Sequence, residues 1–159
     1  SNKPYRGQKR TLWEGGIRVP SLVRWPGRVP AGRVSSEVMH MTDVFPTLLA
    51  AAGGTPKPEW QVDGRNQLDV WRGSTEPERT LFWEWRAEGG NQLAAMRGTL
   101  KLILSGNTLP ELYDVEADPA ERRNRIAEFP DLSRDLRAAL QSWLATETPE
   151  SKEGTPRAR

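Results

Sequence analysis

Residues 80–115 read TLFWEWRAEGGNQLAAMRGTLKLILSGNTLPELYDV, and their pattern decides the fold of the second half of the chain. Four short runs rich in apolar residues, 80–86, 92–97, 100–104 and 111–114, are separated by Gly89-Gly90-Asn91, Gly98-Thr99 and Gly106-Asn107. Runs of this length between turn residues predict an antiparallel sheet, and the two-residue Gly98-Thr99 link is a hairpin signal. In the first run Leu81, Trp83 and Trp85 alternate, which predicts one buried face.

Downstream, residues 116–130 are largely polar. Residues 131–145 place Leu132, Leu136, Ala139, Leu140, Trp143 and Leu144 on one helical stripe, with Arg134, Asp135, Arg137 and Gln141 opposite. A helix capped by Asp131 or Ser133 is expected to cover one sheet face. Residues 146–159 are polar and carry Pro and Gly, the composition of a disordered tail.

Upstream the pattern is more broken. Residues 17–25 (IRVPSLVRW) read as a strand, best started after Pro20 because proline removes a ladder donor. Residues 42–52 (TDVFPTLLAAA) read as a helix capped by Thr42 or Asp43, with Phe45, Leu48, Leu49 and Ala52 as its apolar stripe and Gly53-Gly54 as its end. Residues 55–79 form a connection with Trp60 and Trp71 as expected anchors. Residues 1–15 read as loop.

Composition sets bounds on chemistry. A length of 159 residues suits one domain, or one with a small appendage. There is no cysteine, which excludes disulfides, thiolate metal sites and a Cys nucleophile. One histidine, His40, excludes zinc sites built on two or more His. Mean hydropathy is −0.70, and no apolar run is long enough for a membrane span. Ser1 opens a polar, basic stretch without the apolar region of a signal peptide.

The formal net charge of +2 hides an asymmetry. Residues 1–40 hold eight Lys/Arg (Lys3, Arg6, Lys9, Arg10, Arg18, Arg24, Arg28, Arg33) against Glu14 and Glu37, a local excess of +6. An excess of this kind suits an anionic partner, although most basic stretches are solvated faces. Among other candidates, the carboxylates Asp114, Glu116 and Asp118 lie in a polar loop, where solvation is the default. His40 stands before a helix, and Trp83 and Trp85 alternate as core residues do. Neither G-x-S-x-G, a P-loop nor G-x-G-x-x-G occurs.

One segment carries a sharper signal. Residues 5–20, YRGQKRTLWEGGIRVP, resemble the part of the sulfatase family that runs from an R-G-G-K-type loop into T-x-W/Y-E-G-G-x-R-V-P. In the same order, Trp25-Pro26-Gly27 with Pro30-Ala31-Gly32 resembles the family's W-P-G-x-x-P-A-G, and residues 42–53 its D-x-x-P-T-L-x-x-x-A-G helix. Residues 62–64 and 68–73 are similar to D-G-x-x-L…L-x-G, and 81–84, 96–97 and 100–103 to its F-W-E, V-R and W-K-L-I strands. Residues 111–119 and 121–124, ELYDVEADP and ERRN, resemble E-L-Y-D-L-x-x-D-P-x-E-x-x-N. The resemblance covers about residues 4–144.

The resemblance implies an α/β chain forming the C-terminal part of an alkaline-phosphatase-like sulfatase fold. Residues 1–79 would end the main domain, with an active-site loop at 4–16, and 80–145 would be a small four-stranded antiparallel sheet packed by a C-terminal helix. It implies a sulfuric ester hydrolase that uses calcium and a formylglycine made from Cys or Ser in C/S-x-P-x-R. Lys9 matches the lysine that contacts the sulfate, so it is the one catalytic and substrate-binding candidate. The implied partners are sulfate esters, sulfated glycans among them, together with a preceding N-terminal part of the same chain, and no nucleic acid. Gly7 beside Lys9 would let the backbone approach the anion. Glu14 and Arg18 would be a structural pair.

There are departures. Gln8 stands for the second glycine of R-G-G-K, Leu100 for the Trp of W-K-L, and C/S-x-P-x-R is absent. The resemblance places most metal ligands upstream of this segment, so the chain alone is expected to be inactive. Many family members are exported, but this sequence carries no compartment signal. Two rival readings remain. One is a non-enzymatic module binding an anionic polymer, such as a sulfated glycan or nucleic acid, through residues 1–40 and the seven Trp. The other is a phosphate or phosphonate ester hydrolase of the same superfamily.

Overall fold

Residues 2–86, 90–106 and 108–146 are described by the computed structural model. The elements run α1 (Glu14–Ile17), a 3₁₀ turn (Met41–Asp43), α2 (Val44–Ala51), a 3₁₀ turn (Pro58–Trp60), α3 (Leu68–Arg72), β1 (Thr80–Trp85), β2 (Gln92–Arg97), β3 (Leu100–Ser105), β4 (Glu111–Asp114) and α4 (Pro130–Thr146). They divide into two compact units, one of Ser1–Val19 with Arg79–Arg159, the other Pro20–Glu78.

The first unit is built on a four-stranded antiparallel meander in the order β1-β2-β3-β4. The expected hairpin forms at Gly98-Thr99, where Arg97 faces Leu100 and Gly98 takes φ 57°, the left-handed conformation that this turn needs. Side chains alternate between two faces as the pleat requires. On one face Ala95, Leu102 and Leu112 pack with Leu136 and Leu140 of α4, and Phe82 stacks on Trp143 at 5.3 Å. Pro130 is the first residue of α4, where its missing N–H costs nothing. Asp131 and Ser133 therefore lie inside the first turn rather than capping it.

The other face is covered too, which corrects the expectation of a single buried face. Leu12, with Trp13 and Ile17 beside it, packs onto Ala94, Met96, Ile103, Tyr113 and Val115, flanked by Trp83 and Trp85. The near-continuous apolar run of β3 reflects this double burial, whereas a half-solvated antiparallel strand alternates. The expected division at residues 79/80 changes accordingly: the N-terminal segment belongs with the sheet, because its apolar residues form the sheet's second cover.

The predicted strand at 17–25 does not form here. Ile17 ends α1, Arg18 leaves it in an extended conformation, and residues 18–25 pair with no strand among the described residues. A strand exists only through its ladder.

In the second unit the predicted helix 42–52 is shorter. His40 caps the 3₁₀ turn before it in a reciprocal box with Asp43. Asp43 does not cap α2. Its buried carboxylate accepts the N–H of His40 at 2.7 Å and of Arg65 at 2.8 Å. Thr47 donates to the Asp43 carbonyl at 2.6 Å and accepts from the N–H of Gln67 at 2.9 Å. These polar ties turn Pro46 and Thr47 inward, so Phe45 and Leu48 of the expected stripe are 50% and 55% exposed. They also replace the expected tryptophan anchors. Trp60 is 44% exposed against the ring of Phe45, and Trp71 is half-buried. The predicted tail lies outside the described residues apart from Thr146, which is helical, as do parts of the turns at 87–89 and 107.

Leu140→Ala removes a fully buried side chain between α4 and the sheet. It is expected to lower unfolding stability by about 2–5 kcal/mol in chemical denaturation.

Candidate functional site

The loop bearing Lys9 is closed on itself by backbone contacts. The N–H of Gly15 donates to the carbonyl of Arg6 at 2.7 Å. Inside that span Thr11 stitches a tight turn: its hydroxyl donates to the Gln8 carbonyl at 2.8 Å and accepts the Gln8 N–H at 3.2 Å. Gly15 and Gly16 have no room for a side chain. A Cβ on Gly15 would stand 2.5 Å from the Arg6 carbonyl, and one on Gly16 would run into the Thr11 carbonyl. The double glycine thus lets the loop backbone lie directly on the start of α1.

Gly7 has a similar cause within the loop itself. It holds φ 79°, and a Cβ there would stand 2.5 Å from the Thr11 hydroxyl. Lys9 and Arg10 occupy the exposed turn between Gln8 and Thr11. Neither has an ion-pair partner among the described residues.

Two sets of contacts fix this loop to the sheet. The first is at Arg6. Its guanidinium lies 4.2 Å from the Trp13 ring, within cation–π range, and donates to the Tyr113 hydroxyl at 2.7 Å and to Glu111 at 3.2 Å. Tyr113 donates to the same Glu111 oxygen at 2.8 Å, and the Trp13 indole N–H to the other at 3.3 Å. The loop's Arg and Trp thereby meet the Glu and Tyr of the E-L-Y-D strand. Burial pushes the Tyr113 phenol up to about 12, and its hydrogen bond to Glu111 acts in the same direction.

The second set is buried. Lys101 of β3 is fully inaccessible, and its ammonium lies 2.5 Å from Glu14 Oε1 and 2.9 Å from Glu121 Oε1. The second of these is an ion pair without hydrogen-bond alignment. Glu121 Oε2 accepts the backbone N–H of Glu14 at 2.7 Å, and Arg18 pairs with the other Glu14 oxygen at 3.3 Å. The four charges sum to zero. Burial lifts the Glu121 carboxyl above its ordinary value, against the pull of Lys101 and the Glu14 N–H.

The expected Glu14–Arg18 pair is therefore present, and it is half of a larger cluster. Lys101 and Glu121 were not singled out from sequence. The available signal was a lone lysine inside the apolar run LKLIL, which needs a charged partner wherever the strand is covered on both faces.

The other candidates have structural roles. Asp114 pairs with Arg125 at 3.2 Å, and Asp118 accepts the N–H groups of Arg122 and Arg123 at 2.7 and 2.9 Å. Glu116 is exposed. His40 is a cap, and Trp83 and Trp85 pack against the core beneath the loop. No group of three or more His, Asp or Glu among the described residues could hold a metal ion.

The raised phenol gives a measurable sign. A group lifted in the folded state contributes stability that is complete below its ordinary pKa and lost as pH rises through the lifted one. Tyr113 is expected to titrate near pH 12 by ultraviolet absorbance, and Tyr113→Phe to remove that transition. The stability that Tyr113 adds over the Phe variant should decline between pH 10 and 12.

Comparison with known proteins reaches the same loop and sheet. The family model for the C-terminal part of N-sulphoglucosamine sulphohydrolase matches residues 6–147. Arylsulfatase G of Mus musculus is 45% identical over 75 residues, which are 46% of this chain and 14% of that protein. N-acetylgalactosamine-6-sulfatase of Canis lupus familiaris is 40% identical over 83 residues, 52% of this chain and 16% of that protein. The crystal structure of Ps i-CgsB in complex with k-i-k-neocarrahexaose superposes with a TM-score of 0.85 at 26% identity, covering 90% of this chain and 32% of that one. This chain thus spans a small part of the curated relatives and about a third of that structure. By the match over residues 6–147, the chain belongs to the sulfatase family, in the C-terminal part that this model describes.

Proposed function

We propose that the protein carrying this chain hydrolyses sulfate monoesters, and that the chain supplies the sulfate-contacting residue Lys9. The observation that supports this most is the placement of Lys9. It stands exposed in a turn whose loop is pinned by Arg6 at one end and Glu14 at the other. A pinned loop has already lost its conformational freedom, so an anion that binds there does not bear that ordering cost. An ammonium is a compact charge with three donors, suited to the oxygens of a sulfate as negative charge shifts in the transition state. The substrate class proposed is sulfate esters, with sulfated glycans included because a structurally similar protein was solved with neocarrahexaose.

Family chemistry adds a calcium ion and a formylglycine nucleophile. The residues of this chain do not fit either group. The sequence lacks cysteine and any C/S-x-P-x-R run, and the described residues hold no cluster able to bind a metal. Both groups are therefore assigned to other parts of the protein. The role left to this chain is to hold one cation where a transferred sulfate would sit.

Two measurements test the reading. Lys9→Ala in the whole protein is expected to lower kcat/KM for an aryl sulfate by roughly 10²–10³-fold. An unchanged rate returns Lys9 to the solvated surface. The 159 residues alone should give no turnover above a buffer blank. Measurable hydrolysis by the isolated chain would refute the division of labour proposed here.

A further inference from the structure

The buried cluster under the loop is expensive to keep. A lysine with no exposed surface gives up its hydration, and replacing the whole cluster by apolar residues of similar volume is often no worse for stability. What the ion supplies is direction. The three charged side chains come from three different segments: Lys101 from the middle of β3, Glu14 from the start of α1, and Glu121 from the turn after β4. Lys101 lies across from Met96 and Tyr113 on the sheet face that the N-terminal segment covers.

The N–H of Glu14 closes the circuit onto Glu121 at 2.7 Å. Glu121 itself is held at φ 52°, an uncommon conformation for a non-glycine residue, which places its backbone under the loop where its carbonyl faces Arg6. An apolar contact would tolerate the loop sliding along the sheet. This contact does not, because a shift strands a buried charge. The Arg6 end is weaker in this respect, since its side chain is 36% exposed and water competes for it.

We propose that Lys101 is a positioning residue for Lys9: by bridging Glu14 and Glu121 it fixes the far end of the substrate loop, and sulfate-ester binding depends on that bridge. The proposal rests on the reading of Lys9 as the sulfate contact. A loosened loop is binding-competent only part of the time, so apparent affinity falls by that fraction while turnover at saturation is kept. Loss of Lys9 itself removes transition-state stabilisation and lowers kcat.

The test is made in the whole protein with 4-nitrophenyl sulfate. Lys101→Met strands two buried carboxylates and endangers folding, so the main variant is the triple Glu14→Gln, Lys101→Met, Glu121→Gln, which leaves only the solvent-accessible Arg18 charged. Its KM is expected to rise on the order of tenfold with kcat within about threefold of wild type. By amide hydrogen exchange, residues 6–17 should lose protection on the order of tenfold while β2 and β3 keep theirs. Wild-type KM with wild-type loop exchange would overturn the proposal. So would loss of protection throughout the sheet, which marks a merely structural role. Lys9→Ala is the separate arm. Lost activity there with an unaffected triple variant defeats only the positioning role, whereas full activity of Lys9→Ala defeats the Lys9 reading and this proposal with it.

Discussion

A fully buried ammonium between two carboxylates is the constraint on which the first unit depends. Lys101 stands on the sheet face that a small antiparallel sheet could otherwise leave to water. Once that face carries a charge, whatever covers it must bring the opposite charge. The N-terminal segment does so with Glu14 and the 116–129 turn with Glu121, so both are drawn to one point on β3. Leu12, Trp13 and Ile17 then close over the apolar positions around it. The ion selects the arrangement and the apolar residues stabilise it. The same cover carries the exposed turn with Lys9, which ties the site to the sheet through a short chain of contacts.

The two sheet faces are held by different physics. Against α4 the contacts are apolar and period-matched, with Leu102, Leu112, Leu136 and Leu140 almost free of solvent. Against the loop they are mixed: a cation on an aromatic ring, a shared carboxylate and a closed ion cluster. An apolar interface needs only volume and pattern, whereas a polar one needs each group satisfied. The second unit leans the same way, since Asp43, Thr47 and Gln67 occupy its interior.

This contrast also explains how much could be read from sequence. All four strands, the Gly98-Thr99 hairpin and the last helix were legible because periodicity reports apolar burial directly. The loop-facing side was not, because its key groups are far apart in the chain and polar. Arg6 meets Glu111 and Tyr113 across more than 100 positions, and Glu14 meets Lys101 across 87. No local pattern encodes such pairings. Resemblance to the family named most of these residues within separate motifs, R-G-x-K, E-G-G-x-R, W-K-L, E-L-Y-D and E-x-x-N, and the structure shows that they touch. The strand expected at 17–25 has no partner strand among the described residues, and part of the apolar stripe of α2 is exposed, for a related reason. A residue's own propensity cannot say which partner is present, or which face a buried aspartate will turn inward.

The backbone-on-backbone packing at Gly15 and Gly16 has a consequence for how this site can vary. Gln8 holds the loop through its N–H and carbonyl, and its φ is not positive, so nothing in the loop geometry demands the glycine found there in the R-G-G-K pattern. Shape in this loop is specified mainly at Gly7, Thr11, Gly15 and Gly16. The side chains at 8 and 9 project from a frame that does not depend on their identity, whereas Arg10 holds φ 78°, a conformation uncommon for a non-glycine residue. Charge and size at positions 8 and 9 can therefore change one residue at a time while the scaffold stays still.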